Sequence, residues 1–239
     1  MHTEDLELLP AGVEVSLLDL EVPVDAEAAA ARFLTPRERA EYQGLRHPLR
    51  RREWLGARVC LKSMLVARDC LSDPAECEVR KDRSGRPHLA FTAGLPRGPV
   101  HDCSLSHKGR FACACTSSVP GARVGVDIEP ISPRLTGLAP AFVNVDDRID
   151  TAGSHEFRLT VLWCLKEAYS KALGLGLGVG LGEVVCRQGP GGEHVVQVRG
   201  GPELRARHLA HRGYVIAVCS GRVPRSFERP SRSRLPGGT

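Results

Sequence analysis

The stretch Val124-Gly-Val-Asp-Ile-Glu-Pro130 limits what this chain can fold into more than any other. Apolar and acidic residues alternate along it, which is the period of a strand whose side chains point to opposite faces in turn. Val124, Val126 and Ile128 share one face, and Asp127 and Glu129 share the other. Further on, Trp163-Cys-Leu-Lys-Glu-Ala-Tyr-Ser-Lys171 reads as a helix with Trp163, Glu167 and Lys171 at i, i+4 and i+8 on one stripe. Brought together, the two segments present three carboxylates and a lysine. Such a set holds a hard divalent cation against a phosphate.

Each piece alone also has a plainer reading. Carboxylates at i and i+2 of a strand lie roughly 6.6 Å apart and repel by about 2.5 kcal/mol at an effective dielectric near 20. A bound cation removes that repulsion, but so does screening on a solvated edge strand. Glu167 and Lys171 alone make a Glu-to-Lys helix pair worth about 0.3 kcal/mol.

Composition narrows the setting. The chain has 239 residues, 42% hydrophobic and 26% charged, an ordinary balance for one large globular domain or two small ones. The basic residues are nearly all arginine, so two of the rare lysines, Lys166 and Lys171, falling in one motif is notable. A net charge of +5 points to an anionic partner without naming it. Nine cysteines in an irregular pattern, with no CxxC pair, argue against a disulfide framework and for a reducing compartment. The spacing of His101, Cys103 and His107 fits no zinc finger. The acidic start is unlike a signal peptide, and no apolar run approaches a membrane span. A cytoplasmic protein follows as the expectation.

Along the chain, Val13–Leu18 alternates as a strand. Thr35-Pro-Arg-Glu38 is a capping-box helix start, and a longer helix is expected from Pro48. Residues 81–89 read as a turn. Residues 103–107 and 110–116 read as paired strands joined at Lys108-Gly109, with small buried side chains at Cys113 and Cys115. Residues 132–153 read as loop. A helix is expected from His155 to Gly174, with strands near 193–198, 204–208 and 214–219. The Gly174–Gly182 run lacks both the dinucleotide and the Walker pattern and reads as a hinge. The expected fold is α+β, with pseudo-two-fold duplicated halves of antiparallel sheet plus helix and a cleft between them. Residues 1–118 form the first half, 119–222 the second, and 223–239 an Arg/Pro/Ser-rich disordered tail.

Arg50-Arg-Arg52 with Arg58 suits a phosphate clamp or a solvated helix start equally. Ser106-His107 does not make a hydrolase, since no Gly-x-Ser-x-Gly elbow is present. Taken in order, the set Arg50-Arg-Arg-Glu-Trp54 with Arg58, Gly85-Arg-Pro87, Leu105-Ser-His107, Gly125-Val-Asp-Ile-Glu129 and Trp163-x-x-Lys-Glu-Ala-x-x-Lys171 resembles the 4′-phosphopantetheinyl transferases of the larger, single-chain (Sfp-type) class. The resemblance covers roughly residues 35–182, and its last two motifs are its most specific.

That resemblance implies an enzyme that moves the phosphopantetheine arm of coenzyme A onto a serine of an acyl or peptidyl carrier protein and releases 3′,5′-ADP. Fatty-acid, polyketide and nonribosomal-peptide carriers are the substrate class. It implies that Asp127, Glu129 and Glu167 hold Mg²⁺, and that Glu167 and Lys171 act in catalysis. It places Ser106, His107, Arg50 and Arg58 at the adenosine 3′-phosphate. Gly85, Arg86 and Pro87 fall along the nucleotide, and Lys166 joins Lys171 on the phosphates. Asp146, Asp147 and Asp150 receive no role. The chain is expected to act as a monomer, without nucleic acid or membrane.

Two rivals remain: a nucleic-acid binder using Arg222, Arg225, Arg229, Arg232 and Arg234, and a Mg²⁺-dependent nuclease. An aromatic content of 5% is poor for base stacking. A nuclease lysine follows its acid closely on a strand, whereas Lys171 follows Glu167 at helical spacing.

Overall fold

The computed structural model describes residues 3–5, 12–92, 94–176, 180–224 and 227. Except for Arg222, the arginines of the nucleic-acid rival lie outside them, as do most of the proposed tail and residues 177–179 of the expected hinge.

The first part of the chain supplies β1 (Thr3–Asp5), β2 (Val13–Asp19), α1 (Ala26–Phe33), α2 (Pro36–Gly44), α3 (Pro48–Ala67), β3 (Cys77–Lys81), β4 (Pro87–Phe91), β5 (Asp102–Lys108) and β6 (Phe111–Ser117). The second part supplies β7 (Ala122–Pro130), α4 (Arg134–Phe142), α5 (His155–Leu173), β8 (Val184–Gln188), β9 (His194–Val198), β10 (Leu204–His211) and β11 (Tyr214–Arg222). The strands form one sheet in the order β1-β2-β6-β5, a second in the order β7-β11-β10-β9-β8, and the hairpin β3-β4 beside β5.

The two sheets face each other. Val15, Leu17, Phe111, Cys113 and Cys115 of the first pack against Val124, Val126, Ile128, Ile216 and Val218 of the second. Burying both sets offsets the cost of ordering the chain, at roughly 1.5–3 kcal/mol for each large apolar side chain. The outer faces are covered by long helices, α3 on the first sheet and α5 on the second. The protein is thus a four-layered α+β fold.

The strand orders match in sequence of use: β2-β6-β5 followed by the β4-β3 hairpin corresponds to β7-β11-β10-β9-β8. One buried cluster repeats in each half. Lys62 of α3 donates to the Phe33 carbonyl at 2.7 Å and to Glu38 at 2.6 Å, and the other Glu38 oxygen accepts from the Val79 amide at 2.9 Å. Lys166 of α5 donates to the Phe142 carbonyl at 2.6 Å and to Asp147 at 2.8 Å, and the other Asp147 oxygen accepts from the Cys186 amide at 2.8 Å. Glu38 also caps the amide of Thr35, and Asp147 that of Asn144, each three residues back. The duplication survives in these buried polar clusters, where every donor must keep its acceptor, while the surrounding residues diverge.

Several expectations need correction. Residues 132–153 contain the helix α4, whose Leu135 and Phe142 pack toward α5. Pro133, Gly137 and Pro140 read as breakers, yet Pro140 sits near the end of the helix and Phe142 anchors it. The turn expected over 81–89 is narrower and is flanked by β3 and β4. Helix α1 and strand β8 carry no expectation from the sequence reading. The capping box at Thr35–Glu38, the β5–β6 pair and the three late strands form where the pattern places them.

Candidate active-site cleft

A cleft of about 540 Å³ opens between the halves, walled by α3, the β3–β4 turn, β5, β7 and α5. Gly125 controls its geometry. A Cβ at that position would lie 2.6 Å from the Ala172 nitrogen and 3.0 Å from the Ala168 carbonyl carbon. Only glycine lets α5 settle this close to β7. The contact lays Trp163, Glu167 and Lys171 along the same wall as Asp127 and Glu129.

The strand β5 joins β7 through side chains. Asp102 Oδ2 accepts from the Val124 amide at 2.8 Å, and Ser104 Oγ accepts from the Val126 amide at 3.2 Å. Ser106 continues the row and donates to Asp127 Oδ1 at 3.0 Å. Lys171 Nζ donates to Asp127 Oδ1 at 2.6 Å and to Ser106 Oγ at 2.8 Å. Asp127 Oδ2 is buried without a hydrogen-bond partner. Lys108 Nζ lies 3.3 Å from Glu129.

The electrostatics follow from this crowding. Burial, and then the Asp127 charge, raise the pKa of both Glu129 and Glu167. Burial works against the charge of Lys171, but the hydrogen-bonded Asp127 carboxylate and Glu167 outweigh it, and its pKa is raised. His107 lies 3.4 Å from Glu53, which also accepts from the Gly109 amide at 2.7 Å. Burial lowers the His107 pKa; Glu53 opposes this, while Lys171, Arg50 and Lys81 add to it. Lys81, His107 and Lys171 line the cleft, and Arg50 acts on His107 from beside it.

Among the described residues no three His, Cys, Asp or Glu side chains form a finished coordination cluster. The three acids nevertheless fit a hard cation. They share one cleft, Asp127 has a buried oxygen with nothing to accept from, and two of the acids are held toward protonation. A divalent ion satisfies that oxygen and relieves the repulsion.

Of the candidate residues, Gly85, Arg86, Pro87, Ser106, His107, Asp127, Glu129, Glu167 and Lys171 line the cleft. Lys166 does not. It is fully buried on another side of α5, since successive helix residues are turned by about 100°, and its ammonium is bound to Phe142 and Asp147. Asp147, which received no role, is its structural partner. Arg86 lines the cleft, but its guanidinium is held by Asp102 and the Ala172 carbonyl. Arg58 also lines it, stacked 3.2 Å above Trp54 and 3.4 Å from Glu38, with its pKa pushed down to about 10 by burial. Arg50 is an exposed residue on the first turn of α3. Lys81 and Lys108 also line the cleft, and Glu53 lies against His107; none of the three has a site role in the sequence reading. Only the charge of Lys108 beside the Ser-His pair hinted at one of them.

A second cavity of about 610 Å³ between α1, α3 and β2 is mainly apolar and holds none of these groups. All nine cysteines are buried, and burial raises the Cys77 and Cys113 thiols to about 12. Among the described residues no helix is long and apolar enough to cross a membrane.

Comparison with known proteins agrees with the motif reading. Residues 123–219, which hold β7, α5 and the later strands, match the family model described as the 4′-phosphopantetheinyl transferase superfamily. A phosphopantetheinyl transferase of Thraustochytrium sp. is 29% identical over 187 residues, covering 70% of this chain and 62% of that protein. A 4′-phosphopantetheinyl transferase of Bacillus subtilis is 27% identical over 154 residues, covering 62% of this chain and 65% of that protein. The match thus spans less than two thirds of the length of either relative. A solved holo-(acyl-carrier-protein) synthase of Bacillus anthracis, in complex with CoA (3′,5′-ADP), overlaps 44% of this chain and 92% of its own, with 25% identity and a TM-score of 0.37.

Proposed function

We propose that this chain, which belongs to the 4′-phosphopantetheinyl transferase superfamily, transfers the phosphopantetheine arm of coenzyme A to a serine of an acyl or peptidyl carrier protein. The observation that carries the proposal is the gathering of Asp127, Glu129, Glu167 and Lys171 in one cleft between the halves, with one Asp127 oxygen buried and unpartnered.

Asp127, Glu129 and Glu167 would hold Mg²⁺, which when bound supplies charge neutralisation for the donor's diphosphate. The remaining work falls to the chain itself. Arg50, Lys81 and Lys108 supply positive charge around His107 for the donor's phosphates, and His107 offers a ring nitrogen as a hydrogen-bond donor. Ser106 steers Lys171 by accepting its hydrogen bond. The carrier serine oxygen attacks the β-phosphorus, and the bond from that phosphorus to the oxygen of 3′,5′-ADP breaks. The serine proton passes to Glu167, whose carboxylate lines the same cleft. Lys171 stands by the departing charge. Catalysis here is positioning and neutralisation more than covalent help. A net charge of +5 suits an acidic carrier domain.

The test is direct. Purified protein with coenzyme A, Mg²⁺ and an apo carrier domain is expected to add one phosphopantetheinyl mass to the carrier by intact-mass spectrometry. Asp127→Ala and Glu167→Ala each lower the rate by about 10²-fold, as expected for loss of one electrostatic stabiliser. No mass gain across fatty-acid, polyketide and peptide carriers would overturn the reading.

A further inference from the structure

Arg86 sits where an arginine on a phosphate-binding wall belongs, yet its guanidinium is already committed. Nε donates to the Ala172 carbonyl at 3.1 Å. One terminal nitrogen is hydrogen-bonded to Asp102 and lies 3.5 Å from the Val124 carbonyl. Both side chains are nearly inaccessible, at 6% and 5% exposure. Asp102 accepts from the Val124 amide through the same oxygen and lies 3.6 Å from Arg123 through the other.

These bonds tie together four elements that wall the cleft: the β3–β4 turn, α5, β5 and β7. Arg86 closes the β3–β4 turn, where Asp82 Oδ1 also accepts from the Arg86 amide at 3.1 Å. Ala172 follows Lys171 on the last turn of α5. Asp102 begins β5, the strand that carries Ser106. Val124 begins the run of β7 that carries Asp127. Pulling the guanidinium out to meet a ligand would leave Asp102 buried without its main counter-charge, and removing one partner of a buried ion pair is strongly destabilising.

We propose that Arg86 is a positioning residue rather than a phosphate ligand. Through Asp102 and the end of α5 it presses the Gly85–Pro87 turn into place, so that the nucleotide side of the cleft is formed before the donor arrives. The inference rests on coenzyme A being the donor, and it deepens that reading by giving Arg86 and Asp102 one shared task. Its effect falls on donor binding, since the turn it fixes belongs to the β3–β4 hairpin, whereas Asp127 and Glu167 stand on β7 and α5.

A double-mutant cycle of Arg86→Lys, Asp102→Asn and the pair tests this, with KM for coenzyme A, kcat and the affinity for 3′,5′-ADP as readouts. Each single variant is expected to raise KM for coenzyme A and weaken 3′,5′-ADP by roughly tenfold, with kcat at saturating donor held within about twofold. The pair should be no worse than the worse single, because both changes break one device. If Asp102→Asn leaves donor binding unchanged or tighter while Arg86→Lys weakens it, Arg86 is a ligand freed by losing its competitor, and the proposal fails. Losses that multiply in the pair also overturn it. Amide hydrogen exchange on the wild-type protein serves if the variants do not fold. The Gly85 and Arg86 amides should be protected before 3′,5′-ADP is added; protection that arises only on its addition refutes a preformed turn. Wild-type protein that binds neither 3′,5′-ADP nor coenzyme A would sink the transferase reading itself, a result separate from each of these.

Discussion

Gly125→Ala is the sharpest perturbation the geometry offers. The added methyl would stand 2.6 Å from the Ala172 nitrogen and 3.0 Å from the Ala168 carbonyl carbon. The Ala168 carbonyl oxygen is nearer still, and non-bonded heavy atoms rest at about 3.5–4.0 Å, so α5 has to move outward by at least about 1 Å. The neighbouring atoms are backbone of a buried helix and cannot swing aside as the tip of a flexible side chain can. Lys171 rides on that helix, 2.6 Å from Asp127. A shift of this size carries the pair beyond ordinary hydrogen-bond length and moves Glu167 with it. Overpacking costs about 1–3 kcal/mol of stability. Misplacing the acid–lysine set by about 1 Å lowers kcat/KM by about 10²-fold. Urea unfolding and carrier modification read by intact mass measure the two effects. Gly137→Ala on the exposed side of α4, where a Cβ meets nothing within 4 Å, is the control. It is expected to gain about 0.5–1 kcal/mol and keep full activity. If Gly125→Ala matches wild type in both assays, the close packing of α5 on β7 does not set the site.

Lys166→Met should cost about 3–5 kcal/mol by stranding the buried Asp147 carboxylate, while the folded fraction keeps its KM for coenzyme A; a raised KM with stability intact would return Lys166 to the phosphates. The His194–His208 pair, 3.0 Å apart between β9 and β10, makes stability depend on pH. Burial, and then His208, push His194 down to about 4 from an ordinary 6.5. The unfolded chain therefore takes the proton first. This contribution is complete above pH 6.5 and is lost as pH falls toward 4, by about 3 kcal/mol for the single group. Urea midpoints at pH 7.5 and 5 should separate in wild type and draw together in His194→Gln; equal slopes in both would refute the role of the pair.

Much of the site was legible along the chain because it sits on two regular elements. A strand period puts Asp127 and Glu129 on one face, and a helix period puts Trp163, Glu167 and Lys171 on one stripe. Periodicity is a property of neighbouring residues, so it survives without tertiary knowledge. It does not say which stripe of a buried helix faces the cleft, and Lys166 and Lys171 look equivalent on paper. The structure separates them, since Lys166 is the twin of Lys62 in a core cluster. Arg58 and Arg86 show the same limit. Both belong to the right motifs and line the right wall, but distant partners, Glu38 and Asp102, hold their charges.

The residue order by itself decided the alternation of β7, the acidic and basic stripe of α5, the capped start of α2 and the duplicated α+β plan, because each depends on spacing within a few residues or on the order of elements. Tertiary structure alone decided that Gly125 lets α5 lie against β7, that β5 completes the edge of β7 with side chains, and that one lysine serves the core while another serves the cleft. Those outcomes depend on which surfaces meet across the interior, where a burial or a lost counter-charge of a few kcal/mol selects the partner.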